Sequence, residues 1–132
     1  MKYSPLTKPF HLSLGERGEM IAWNFLRKQG YKILEKNYRC KIGEIDVVAQ
    51  KNGRIVFIEI KTRAHHGFGR PEESVHAAKQ KKLISLAKWY LKEKRKTDVA
   101  VSFDVLAITF QGESEPEIRL IENAFMADDC LG

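Results

Sequence analysis

The pair Asn52-Gly53 constrains this chain more than any other local feature, because it stands between two runs of alternating apolar residues, Glu44 to Gln50 and Arg54 to Thr62. A two-residue loop of this composition adopts positive φ at both positions, and its twist matches that of the strands it joins. Lys51 then pairs with Arg54, which sets Val48 opposite Phe57, Asp46 opposite Glu59 and Glu44 opposite Lys61. Period-two alternation puts Glu44, Asp46, Glu59 and Lys61 on one face at the far end of the hairpin. Ile45, Val47, Ala49, Val56, Ile58 and Ile60 fall on the other face, which must lie against a core.

The remaining elements follow from periodicity and turn signals. Ser13 with Glu16 forms a capping box, and Ile21, Ala22, Phe25 and Leu26 share one face of a helix over about 14–29, ending at Gly30. Tyr31 to Arg39 reads as a strand. After the hairpin, a loop from Arg63 to Arg70 carries His65 and His66, and Pro71 opens a second helix to about Glu93. Its apolar stripe is Val75, Leu83, Leu86, Tyr90 and Leu91. Asp98 to Phe110 reads as a strand, and Ile118 to Ile121 as a shorter edge strand after Gly112. The order is αβββαβ with a final edge strand, an α/β fold with a mixed central sheet flanked by helices. At 132 residues this is a single domain over 1–132, with one core over about 13–125, a short N-terminal arm and an acidic C-terminal tail. Such a core needs no metal or disulfide staple, and Cys40 and Cys130 read as free thiols.

Charge is unevenly distributed. The net charge is +6, yet Lys79 to Lys96 holds eight basic residues and a single acid, Glu93. A concentrated basic stretch on a near-neutral domain is the footprint of a polyanion partner, or else a solvated helix face. No apolar run reaches the ~20 residues that span a bilayer, and Met1 to Phe10 lacks a secretory core. A cytoplasmic protein with no membrane association is the expectation.

Asp46 and Glu59 carry the chemistry. Like charges directly opposite on paired strands lie about 4.5–5.5 Å apart at Cβ and destabilise a sheet. A divalent cation bridging them removes the repulsion, and Mg²⁺ accepts one or two carboxylates plus water. Lys61 projects on the same face and would hold or deprotonate a water. The alternative is a surface ladder in which Lys61 neutralises Glu44 and Asp46, each exposed pair contributing about 0–1 kcal/mol. Lys79 falls inside the apolar stripe of the second helix, where it either snorkels to the core edge or reaches a phosphate. His65 and His66 suit phosphate contact or plain exposure better than metal ligation. Asp104 is either a buried hydrogen-bonded acid or a partner to the site, and Trp23 and Trp89 read as packing residues in preference to base-stacking platforms.

Asp46 followed thirteen residues later by Glu59-Ile60-Lys61 resembles the PD-(D/E)XK nuclease core, with Ile45 where proline would stand. The longer string is Gly15-Glu16-Arg17-Gly18-Glu19, Gly43-Glu44-Ile45-Asp46, Val56 to Arg63, Phe103-Asp104-Val105 and Asn123-Ala124-Phe125. It resembles the YraN-like family of small bacterial proteins from about residue 13 to 125, a family similar to archaeal Holliday-junction resolvases.

The resemblance implies a metal-dependent endonuclease acting on branched or structured DNA with Mg²⁺ or Mn²⁺. By the same resemblance Asp46, Glu59 and the Ile60 carbonyl would bind the metal, Lys61 would orient water, and Glu19 would add an acid from the first helix. Lys79, Gln80, Lys82, Arg63, Arg70 and His65 would contact the nucleic acid, although Ile84 stands where related nucleases place a tyrosine after the helical glutamine. Resolvases of this kind act as symmetric dimers, and Phe10, Leu12 and Leu14 offer either a homodimer seam or packing on the chain's own core. The rival readings are a nucleic-acid-binding module without turnover and an interaction subunit that docks through Glu113, Glu115, Glu117, Glu122, Asp128 and Asp129.

Overall fold

Helix α1 (Leu14–Lys28) starts where the sequence places it: the Ser13 hydroxyl accepts from the Glu16 amide at 3.1 Å and the Glu16 carboxylate accepts from the Ser13 amide at 2.9 Å. The computed structural model describes residues 12–64 and 76–125. The chain continues through β1 (Lys32–Cys40), β2 (Gly43–Lys51), β3 (Arg54–Arg63), α2 (Ala77–Glu93), β4 (Ala100–Gln111) and β5 (Ser114–Phe125). The fold is α/β, and its mixed sheet has the order β1-β2-β3-β4-β5. All neighbours are antiparallel except β3 and β4, which run parallel. A parallel pair requires a crossover, and the segment bearing α2 provides it.

The turn sets the register as expected. Asn52 and Gly53 have φ of 50° and 78°, and Lys51 pairs with Arg54, Ala49 with Val56, Val48 with Phe57 and Val47 with Ile58. The sheet splits the interior into two layers, so the single core expected from chain length is divided. On one face α1 lays Ala22 and Leu26 against Val47, Val56, Ile58 and Leu106. On the other α2 lays Leu83, Leu86 and Tyr90 against Val48, Phe57 and Val105. Rings from four strands and a helix meet there: Tyr38 lies edge-on to Tyr90 at 5.1 Å, and Phe103 stacks on Phe125 at 4.8 Å.

Several elements depart from expectation. Ile45 packs in the α2 layer and not with Val47, and the β1 residue between the pairs Lys36–Val47 and Tyr38–Ile45 is Asn37, whose φ of 51° departs from extended backbone. α2 is capped at His76, whose extended backbone precedes the first turn, while Pro71 and Val75 lie outside the described residues. β5 runs to twelve residues, so Glu113, Glu115, Glu117 and Glu122 belong to a hairpin and not to a tail; Asp128 and Asp129 lie outside the described residues. Trp23 packs beneath Lys36, but Trp89 is 39% exposed.

Asp104 is buried within a network of its own. It accepts from the Tyr31 hydroxyl at 3.0 Å and from the Asn123 amide at 2.9 Å. Three residues of β5, 122 to 124, bulge between the pairs Phe103–Phe125 and Val105–Ile121, and this carboxylate ties the bulge down.

Gly18 sets the approach of α1 to the sheet. A Cβ there would lie 2.2 Å from Thr62 Oγ1, 2.8 Å from its Cγ2 and 3.1 Å from its Cβ, so rotating the threonine does not clear the space. Gly18→Ala should therefore destabilise the protein by about 1–3 kcal/mol, despite the helix propensity gained. Denaturant titration should show Gly18→Ala/Thr62→Ala recovering part of that loss; a double mutant as unstable as the sum of the two single changes would contradict the close packing.

Candidate active site

The β2–β3 ladder ends early, and that break builds the site. In a hairpin closed by Lys51 and Arg54, every second pair exchanges both amides, so after Val47–Ile58 the next bonded pair would be Ile45–Ile60. Registered pairing stops at Val47–Ile58, and the Ile60 amide donates to Asp46 Oδ2 at 2.8 Å. The directly opposed Asp46–Glu59 ladder pair expected from the turn is thus replaced by strands that part, with the Asp46 side chain between them. Ile60 remains half-buried, packed on the α1 layer.

The two carboxylates differ in their surroundings. Glu59 is 8% exposed, and its Oε2 lies 3.2 Å from Lys79 Nζ and 3.6 Å from Lys61 Nζ. Asp46 sits among acids. Burial and the charge of Glu59, with smaller contributions from Glu19 and Glu44, push its carboxyl up from 3.8 to about 6 against the opposing effect of the Ile60 amide. Glu44 is exposed and pairs with Arg39 at 3.5 Å, so Lys61 neutralises Glu59 and not the Glu44–Asp46 end of the ladder.

The other sequence-derived positions distribute as follows. Glu19 is half-buried on α1 and faces Asp46 electrostatically, one residue beyond the close approach at Gly18. Lys79 and Gln80 occupy the first turn of α2, both half-buried. Lys82 is exposed, and the end of its stem would lie 3.1 Å from a Cβ placed on Gly43. Arg63 ends β3 half-buried, its Nε buried without a hydrogen-bond partner. His65, His66 and Arg70 lie outside the described residues. Among the described residues, no group of three or more His, Cys, Asp or Glu side chains is placed to hold a metal ion together.

The Lys79–Glu59 pair is the feature that sequence reasoning missed. The position of Lys79 inside an apolar stripe was its signal, since a lysine directed at the sheet from that stripe needs a buried acid to meet.

The raised Asp46 carboxyl has a defined consequence for stability. The folded state holds this proton more tightly than the unfolded chain, so Asp46 favours folding at low pH, and that contribution is lost as pH rises from about 4 through about 6. A shift of this size corresponds to at most about 3 kcal/mol. Asp46→Asn keeps an oxygen for the Ile60 amide and removes the charge. Its Tm should exceed that of the parent at pH 7.5, with the gap closing by pH 4; a Tm difference independent of pH would contradict the assignment.

Residues 18–108 match the profile of the "Uncharacterised protein family UPF0102". The chain is 43% identical over 119 residues to a UPF0102 protein of Clostridium perfringens, covering 89% of this chain and 98% of that one. It is 44% identical over 113 residues to one from Geobacter metallireducens, covering 86% and 92% of the two chains. A solved structure, Pyrococcus furiosus SfsA in complex with Ca²⁺, aligns over 82% of this chain and 61% of that chain, with a TM-score of 0.37 at 16% identity. A likeness that loose carries no weight.

Proposed function

The chain belongs to the uncharacterised protein family UPF0102, and from that footing we propose that it is a metal-dependent endonuclease hydrolysing phosphodiester bonds in branched or structured DNA. The observation that supports this reading is the half-buried Asp46 carboxyl, held near 6 among Glu59, Glu19 and Glu44 where two strands part. A fold that concentrates uncompensated negative charge at one point is suited to a cation.

The donor set fits Mg²⁺ or Mn²⁺. Asp46, Glu59 and the Ile60 carbonyl would hold the ion with hard oxygen ligands, and Mg²⁺ accepts one or two carboxylates with water completing its shell. When bound, such a cation supplies Lewis acidity to a phosphoryl oxygen and lowers the pKa of water. Lys61, 3.6 Å from Glu59, would set its ammonium against the negative charge that develops during attack on phosphorus. Glu19 adds to the field that attracts the cation. Lys79, Gln80, Lys82 and Arg63, together with Arg70 and His65, would hold the DNA backbone, and a homodimer would present two sites to the equivalent strands of a junction.

A second reading, a nucleic-acid-binding module without turnover, is favoured by the Lys79–Glu59 contact at 3.2 Å, which already neutralises one ligand. Cleavage separates the two. In Mg²⁺ or Mn²⁺ the protein should cut a labelled four-way or flapped DNA, and Asp46→Asn or Glu59→Gln should abolish cutting while leaving affinity unchanged or raised. No cutting of any branched, flapped or single-stranded substrate, together with no binding of Mn²⁺ by calorimetry, would overturn the nuclease reading.

A further inference from the structure

Trp89 stands apart from the packing of its own helix. The stripe that α2 presents to the sheet is Leu83, Leu86, Ala87, Tyr90 and Leu91, all buried, so the core does not require the indole. Trp89 is 39% exposed and lines a groove of about 500 Å³ with Ile42, Ser85, Lys88, Lys92 and Glu93. Lys82, Ser85, Trp89 and Lys92 recur at spacings of three and four and so form one exposed ridge.

The charge around the indole identifies what it fits. Among the described residues, no ion pair engages Lys82, Lys88 or Lys92. The acid lining the groove, Glu93, accepts a hydrogen bond from the Tyr38 hydroxyl and is held back toward the core. An aromatic face flanked by unpaired ammonium groups matches a base with its phosphates, since every base offers a π-face and each phosphate a negative charge. A second copy of this chain would bring another basic helix against the same ridge, like charge against like.

We propose that the Trp89 ridge of α2 holds an unpaired nucleotide of a DNA strand, the indole stacking on the base and Lys88 and Lys92 meeting the adjoining phosphates. This rests on the nuclease reading and deepens it by giving the substrate a single-stranded element. Lys79, which touches Glu59, lies ten residues before Trp89 on the same helix. At 1.5 Å per residue that is about 15 Å along the helix axis.

Anisotropy of a labelled oligothymidine in EDTA tests this without turnover. Trp89→Ala should weaken binding about 5- to 100-fold, Trp89→Phe should retain most of the affinity, and neither should alter binding to a blunt duplex. The salt slope should stay unchanged in Trp89→Ala and fall by about 0.7 for each of Lys88→Ala and Lys92→Ala. Unchanged oligothymidine affinity in Trp89→Ala, equal weakening on duplex, or conversion of a dimer to a monomer in sedimentation would each overturn the proposal. If Trp89→Ala weakens binding but the parent cuts nothing, the nuclease reading fails and the stacking site stands; the reverse pattern keeps the nuclease and removes the site.

Discussion

One hydrogen bond, from the Ile60 amide to the Asp46 carboxylate, governs the geometry of this end of the molecule. In a continued ladder that amide would meet a backbone carbonyl, and Asp46 and Glu59 would stand side by side on an unbroken surface. A hydrogen bond to a charged group contributes about 1.5–3 kcal/mol, more than a neutral ladder bond, so the carboxylate can compete for the donor. The strands then part, and the sheet acquires a mouth in which side chains from both strands and both helices meet.

The helices reach that mouth because of the sizes of the residues they bury. Gly18, Ala22 and Leu26 are the buried residues of α1, spaced four apart and increasing in bulk toward the C-terminus. The smallest lies against Thr62, so the helix comes nearest the sheet at its N-terminal end and delivers Glu19 beside Asp46. α2 approaches from the other face and delivers Lys79 to Glu59. The outcome is electrically asymmetric: two lysines compensate Glu59, whereas the groups acting on Asp46 are one amide and three carboxylates.

Much of this was legible in the sequence, and the exceptions share a cause. The Asn52-Gly53 turn determined the register through Val47–Ile58, and the Ser13 capping box determined the start of α1, because both are local features read over a few residues. Ile45 escaped the same reasoning. Alternation assumes a regular strand, and beside Asn37, at φ 51°, Ile45 and Val47 fall in different layers. The break after Val47–Ile58 was equally invisible, since a side chain capturing a strand amide depends on tertiary burial and leaves no periodic trace. β5 extends beyond Ile118 to Ile121 because an edge strand paired on one side alone tolerates the polar residues that flank this stretch, and Ala124 and Phe125 return to the core past Glu122 and Asn123. Gly18 had a visible sign in its spacing of four from Ala22, but a glycine registers as a gap in an apolar pattern when it is in fact the point of closest contact.

The same asymmetry sets stability against function. A half-buried carboxylate with no cationic partner among the described residues costs the folded chain free energy at neutral pH, and one substitution to asparagine would relieve it while preserving the Ile60 hydrogen bond. Retaining the acid is reasonable if something that binds the folded state alone removes the penalty, because ligand binding then adds to stability by mass action. Lys79 and Lys61 are both spent on Glu59, so neither offsets Asp46. The charge that destabilises the fold on its own is therefore the charge that a divalent cation, on the function proposed above, would neutralise.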